Sequence, residues 1–356
     1  MSRQTALHAN HVAAGARMVD FAGWDMPLNY GSQIEEHNAV RTAAGMFDVS
    51  HMTVIDLPDE SARSFLLRLV ANDVSKLTAA GKALYGVLLN PRGGVVDDLI
   101  VYRRRSGYRV VVNAGTREKV LAWFAENNRE NTRILERDLA MIAVQGPLAV
   151  ARFEMVTGTG GASDLEPFSM LEAGETMVAR TGYTGEDGVE VILPGDDAVD
   201  LWRSLVEAGV RPAGLAARDT LRLEAGLNLY GQDMDEDTSP LVSNLAWTVD
   251  WKPREFIGRS AIDAEREAGV TEKLTGLVME GRGVLRHGQK VITGSGGGTI
   301  TSGVFSPTLG YAIALARLPR GAKGGAEVEI RGKMHPVKIV RPPFVRNGQR
   351  VYKDPD

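Results

Sequence analysis

The sequence predicts an α+β protein that ends in a small β-barrel or sandwich. Three observations predict it. Helix-type and strand-type apolar runs are interleaved up to about residue 271. From about residue 272 onward only short β-type runs remain, punctuated by Gly and Pro. Gly is 40 of 356 residues, about 11% against a usual ~7%, which requires many turns.

Taken in order, residues 59–70 place Phe65, Leu66 and Leu69 on one stripe, the spacing of a half-buried helix. Val87-Leu88-Leu89 runs into the turn Pro91-Arg92-Gly93-Gly94. Val95-Val96-Asp97-Asp98-Leu99-Ile100-Val101-Tyr102 follows, then Tyr108-Arg109-Val110-Val111-Val112. Such β-branched runs with short Gly turns predict an antiparallel meander. Residues 116–127 form a helix with Thr116 as N-cap and Val120, Leu121 and Phe124 inward. A helix over about 196–208 turns Leu201, Trp202 and Leu205 inward, and 215–225 is another. Strand runs return at 274–279, 299–301, 312–315, 326–330 and 337–340. The Gly-rich stretches 157–163 and 294–298 read as flexible connectors, and Arg103-Arg104-Arg105 as a solvated basic loop. There is no internal repeat.

Composition excludes several classes. The length fits roughly two to three domains at ~150 residues each. Lys+Arg is 41 and Asp+Glu 45, a net charge of −4, which argues against a nucleic-acid partner. Cys is absent, so no disulfide, thiol nucleophile, Fe–S cluster or Cys-ligated zinc can form. No signal-like apolar region opens the chain, and no window approaches the ~18 apolar residues of a membrane span. The expectation is a cytoplasmic protein with no membrane contact.

Several motif fragments fail. Gly158-Thr159-Gly160 lacks the third Gly of a dinucleotide fingerprint, having Ser163 there, and Gly294-Ser295-Gly296 fails likewise at Thr299. Asp233, Asp235 and Asp237 imitate a calcium loop, but Thr238 and Asn244 stand where Gly and Glu are needed. The six His are scattered, so no metal site is expected. Ser50-His51 has no nucleophile-elbow context.

The remaining signals are carboxylates and arginines. Asp97 and Asp98 interrupt an apolar strand, and alternation puts one on each face. A buried carboxylate is costly unless paired or used. Parity leaves open which faces inward, because Val96 with Ile100 and Val95 with Leu99 are equally apolar. Glu190 follows the turn Thr181-Gly182-Tyr183-Thr184-Gly185-Glu186-Asp187-Gly188 on a strand. There it either grips the N–H edge of a flat heterocycle by two parallel bonds or faces solvent. Arg218 and Arg222 share a helix face and either hold an anion or pair with nearby acids.

Together these segments resemble the aminomethyltransferase (T-protein) family of the glycine cleavage system. The resemblance spans nearly the whole chain, in order. It includes Gly15-Ala16-Arg17-Met18-Val19-Asp20-Phe21-Ala22-Gly23-Trp24, Gly45-Met46-Phe47-Asp48-Val49-Ser50-His51-Met52 and 93–102. It continues through 182–190, 214–226, Leu229-Tyr230-Gly231-Gln232-Asp233-Met234-Asp235 and Thr301-Ser302-Gly303-Val304-Phe305-Ser306-Pro307-Thr308-Leu309-Gly310. It implies a three-lobed folate-binding fold. The first lobe would be discontinuous, 1–52 plus 138–255, and the second 53–137. A helical linker over 256–271 would lead to a barrel lobe over 272–356. The resemblance further implies Asp98 as the catalytic residue and Glu190 as the pterin holder. Arg218 contacts substrate, and Tyr183, Tyr85 and Asn113 line the folate pocket.

The implied reaction moves a methylene group from the aminomethyl-lipoyl arm of the H-protein to tetrahydrofolate, a co-substrate. It needs no metal, flavin or nicotinamide. An acidic lipoyl carrier favours a docking face bearing arginines, with Arg286 in Val284-Leu285-Arg286-His287-Gly288 one candidate, unless it pairs internally. Two alternatives share the resemblance: a folate-dependent demethylase of sulfonium substrates, and a non-catalytic folate-binding assembly factor. The second carries a Cys-containing signature where this chain has Thr181-Gly182-Tyr183-Thr184-Gly185-Glu186.

Overall fold

A computed structural model describes residues 2–158 and 160–353. The chain forms two compact units. One holds residues up to Gly86, Asp97–Gly182 and Glu186–Arg218; the other holds Val87–Val96, Tyr183–Gly185 and the chain from Asp219 on.

The first unit contains a six-stranded sheet in the order Met170–Ala173, Thr176–Ala179, Gly188–Leu193, Ala140–Gln145, Gly45–Asp48, Arg211–Pro212. Its neighbours are antiparallel except the last pair. The sheet's strands are short and apolar, and two helices, Ala149–Thr157 and Gly195–Glu207, close one core over Val144, Val189 and Val191 with Phe153, Trp202 and Leu205. Trp202 and Leu205 are buried in that core as expected, and Leu201 packs against its margin, half-buried.

A five-stranded sheet follows the order Ala83–Leu89, Val95–Arg103, Tyr108–Val112, Thr53–Leu57, Leu135–Arg137. The first three strands are neighbours in chain order, as a meander requires, and the second pair is antiparallel. Helices Ala62–Leu69 and Arg117–Glu126 meet through Phe65 and Phe124, edge to face at 5.3 Å. Two expectations fail on the second helix. Thr116 makes no cap bond, its side chain turning toward Asp97 at 2.7 Å, and Leu121 is only half-buried.

The basic run is not a solvated loop. Arg104 bonds Asp56 at 2.9 Å and Glu172 at 2.5 Å, and Arg103 donates to the Gly107 carbonyl at 2.7 Å. Buried Asp56 also takes a two-pronged contact from buried Arg109 (2.7 and 2.9 Å) and one bond from Arg137 (2.8 Å). One carboxylate on a central strand thus gathers three arginines.

In the second unit, six strands close a barrel in the order Glu272–Met279, Tyr311–Pro319, Gly296–Ser306, Lys290–Thr293, Gly325–Ile330, Lys333–Val340. Every neighbouring pair is antiparallel. Leu277, Ile300, Ala314, Val328 and Ile339 fill it. Closure removes the edges that a sandwich would leave. The 294–298 stretch is no loose connector, since 296–298 belong to a barrel strand. A Cβ on Gly298 would lie 2.4 Å from the Arg317 carbonyl, so the strand passes too close for a side chain. Of the other Gly-rich stretch, Thr159 lies outside the described residues.

Candidate functional site

The Val95–Arg103 strand settles which Asp faces where. Asp97 is 0% exposed and packs with Leu99 and Val101, whereas Asp98 and Ile100 on the opposite face are half-buried. The half-open face therefore carries Asp98. Tyr85 donates its hydroxyl proton to Asp98 Oδ2 at 2.9 Å, and Asn113 Nδ2 donates to Asp98 Oδ1 at 2.7 Å. Burial pushes the Asp98 carboxyl up; these two donors pull the other way. Each oxygen keeps lone-pair capacity for a further donor.

Asp97 belongs to the same cluster from behind. Asn113 Nδ2 reaches Asp97 Oδ1 at 2.8 Å, and Thr116 Oγ1 lies 2.7 Å from Asp97 Oδ2. One amide thus spans both carboxyls.

Glu190 is not a solvent-facing strand end. It is buried, and Thr181 donates to its Oε2 at 2.5 Å. Burial raises its carboxyl above the ordinary range, against the pull of Thr181 and the nearby Arg218 charge. Among the described residues its other oxygen has no partner, which leaves an acceptor for a ligand's N–H. Buried Tyr102 stands beside it, its hydroxyl 3.4 Å from Thr181 Oγ1, its ionisation suppressed first by burial and then by the Glu190 charge. The close turn before Glu190 depends on glycine: a Cβ on Gly188 would sit 2.2 Å from the Val144 carbonyl.

Arg218 contributes charge to both Glu190 and His51, so it belongs to this environment. Arg222 does not share its fate. It is buried and filled by Asp219 and Asp233 at 2.8 Å each and by Ser302 at 2.9 Å. That pairing also occupies Asp233, the first residue of the calcium-like triplet. Tyr183 lies in the second unit and donates its hydroxyl to the Asn228 carbonyl.

Ser50 and His51 form no nucleophile–base pair. Ser50 Oγ accepts from Met141 N at 2.9 Å and lies 3.3 Å from its carbonyl. Burial, and then the Arg218 charge, push His51 down to about 4, so its ring is neutral at neutral pH. Asp48 of the same segment is an anchor: Thr5 donates to it at 2.6 Å and His11 lies 2.9 Å away.

Arg286 lines a cleft of about 720 Å³ on the second unit with Arg331, Lys333 and His335, and among the described residues no carboxylate lines it. Among the described residues Arg286, Arg331 and Lys333 form no ion pair, so the internal pairing weighed for Arg286 is not what the structure has. No helix is long and apolar enough to cross a membrane among the described residues. Among them, too, no group of three or more His, Asp or Glu gathers as metal ligands would.

Sequence reading missed Thr116, Thr181 and Tyr102 as supports of the candidate residues. Tyr102 was within reach, since it stands four residues after Asp98 and so on the same strand face. Thr116 was not, because its bond to Asp97 depends on how 113–116 folds back.

Comparison with known proteins places the chain in a family. Residues 7–253 match the family model described as the GCVT N-terminal domain, and 272–346 match the glycine cleavage T-protein C-terminal barrel domain. An aminomethyltransferase of Alcanivorax borkumensis is 55% identical over 360 residues, covering 99% of this chain and 100% of that protein. The crystal structure of glycine cleavage system aminomethyltransferase T from Bartonella henselae superposes with a TM-score of 0.93 at 33% identity. That match covers 99% of this chain and 100% of the other. With the closed C-terminal barrel and both family models in place, the chain belongs to the aminomethyltransferase (T-protein) family of the glycine cleavage system.

Proposed function

We propose that this chain transfers the methylene group of the aminomethyl-lipoyl arm of the H-protein to tetrahydrofolate. The products are 5,10-methylenetetrahydrofolate, ammonia and the dihydrolipoyl H-protein. The observation that carries this reading is Asp98, held by Tyr85 and Asn113 on the half-open face of its strand. A fixed negative group there orients the nucleophilic folate nitrogen and offsets the positive charge that develops on it. No covalent enzyme intermediate is required, so Asp98 acts by field and by hydrogen bonding. Glu190 receives the paired N–H groups of the pterin, Arg218 contacts the folate, and Tyr85, Asn113 and Tyr183 line its pocket. Folate is a co-substrate, and the chemistry asks for no metal, flavin or nicotinamide.

We further propose the division into lobes 1–52 plus 138–255, 53–137 and 272–356, with 256–271 as linker, a reading supported by the grouping of strands into two larger sheets and a barrel. The cationic cleft at Arg286 suits an acidic carrier domain, and we place H-protein docking there and the enzyme in the cytoplasm. The test is incubation with aminomethyl-loaded H-protein and tetrahydrofolate. Ammonia and methylenetetrahydrofolate should appear in equal amounts. Absence of both, with methyl transfer from a sulfonium donor, would instead favour the demethylase reading.

A further inference from the structure

The contacts of Thr116 constrain where a proton sits. Its hydroxyl has two acceptor-type neighbours, Asp97 Oδ2 at 2.7 Å and the Asn113 carbonyl at 3.0 Å. A hydroxyl donates once and accepts twice. Both contacts are full hydrogen bonds together only if one neighbour brings a proton, and a carbonyl has none. The Asp97 carboxyl can.

Asn113 gives a second constraint. Its amide nitrogen has two protons, and its two short contacts are Asp97 Oδ1 at 2.8 Å and Asp98 Oδ1 at 2.7 Å, with the Asp98 carbonyl farther off at 3.4 Å. Among the described residues neither carboxyl has a cation partner: Arg109 of the next strand is committed to Asp56 and Arg117 of the following helix to Glu136. The other titratable group at the pair is Tyr85, which donates to Asp98. Two adjacent carboxyls in such a place do not both ionise near neutral pH. Asp97 is sealed in the core while Asp98 is half-open, so the charge is better solvated on Asp98.

We propose that Asp97 is a positioning residue held as the neutral acid. It donates to Thr116, accepts from Asn113, and thereby locks the amide that orients Asp98, the one charge of the pair. The inference rests on the reading of Asp98 given above. It agrees with the direction for Asp97, whose carboxyl is pushed up to about 8 by burial and then by the Asp98 charge, against its Thr116 and Asn113 bonds.

The experiment compares the wild type with Asp97→Asn, Asp97→Ala, Thr116→Val and Asp98→Asn. Asn keeps a donor toward Thr116 and an acceptor for the Asn113 side chain and loses only the longer bond that the Asn113 backbone N–H makes to Oδ2 at 3.2 Å, so Asp97→Asn should recover kcat to within a few-fold of wild type below about pH 8. The wild-type rate should fall as pH rises through about 8, and Asp97→Asn should lack that fall. Substrate titrations cancel in the ratio of the two rates. Asp97→Ala and Thr116→Val should lower kcat about tenfold with KM nearly unmoved. Infrared spectra of the intact proteins at neutral pH should show a protonated-carboxyl band in the wild type and in Asp98→Asn, lost in Asp97→Asn. A wild type without that band, or a rate ratio flat from about pH 6 to about pH 9, overturns the inference even if Asp97→Ala fails to fold. An active Asp98→Asn would overturn the underlying reading of the site instead.

Discussion

Asp98 and Asp97 are neighbours in sequence yet occupy different environments, one half-open and one sealed. The proposal for Asp98 predicts that Asp98→Asn retains folate but loses turnover by roughly 10²–10³-fold, the scale for removing one preorganised charge contact. Steady-state rates beside a folate titration check this. Glu190→Gln should weaken tetrahydrofolate binding by ~1.5–3 kcal/mol, because the amide presents a donor where the pterin amine also donates. Equilibrium titration reads it directly; an unchanged Kd removes Glu190 from the site. Asp97, Asp98 and Glu190 were legible in the sequence as charges on apolar strands and Arg218 as a helix-face arginine, whereas Tyr85, Asn113 and Tyr183 came only with the family resemblance. Their neighbours were not: Thr181 and Glu190 are nine residues apart, and only the turn brings their side chains to 2.5 Å.

Elements were legible where periodicity was strong. The meander and five of the six barrel strands follow from alternation and Gly spacing, and the four helices read from periodicity end within a few residues of expectation, while the barrel strand Lys290–Thr293 and the helices His8–Ala13, Gln33–Thr42 and Ala149–Thr157 were missed. The basic run failed because local sequence cannot reveal that Asp56, some 50 residues earlier, lies beneath it. That cluster has a measurable consequence. Burial alone would raise the Asp56 carboxyl, but Arg109, Arg104 and Arg137 together hold it below the ordinary range. A depressed folded pKa contributes stability above the unfolded value, lost as pH falls from ~3.9 toward the depressed value. Asp56→Ala should therefore destabilise the protein by ~3–5 kcal/mol at neutral pH, leaving buried Arg109 unpaired. The variant should also lose less stability than wild type on acidification, which denaturant melts at both pH values would show. Gly188→Ala tests the strand before Glu190: a Cβ 2.2 Å from a backbone carbonyl should cost ~1–3 kcal/mol and lower the melting temperature.

For the whole molecule, the distinctive feature is a cleft of cations on the barrel unit of a chain whose net charge is −4. If an acidic carrier docks there, H-protein-bound donor should outpace free aminomethyl-lipoamide, and added salt should shrink the advantage. Arg286→Glu should lower kcat/KM for the protein-bound donor while leaving the free donor's rate nearly unmoved. Equal rates for both donors, insensitive to salt, would remove the charged docking face.

The sequence by itself determined the α+β class, the C-terminal β region and the family, because apolar periodicity and motif order are one-dimensional properties. Tertiary structure alone decided that this β region closes as a barrel, that Asp98 and not Asp97 takes the half-open face, and that Arg222 is spent on Asp219 and Asp233. The physical reason is common to all three. Burial and hydrogen-bond partnership are set by segments distant in the chain, and a strand's alternation states that two faces differ without saying which one the core will cover.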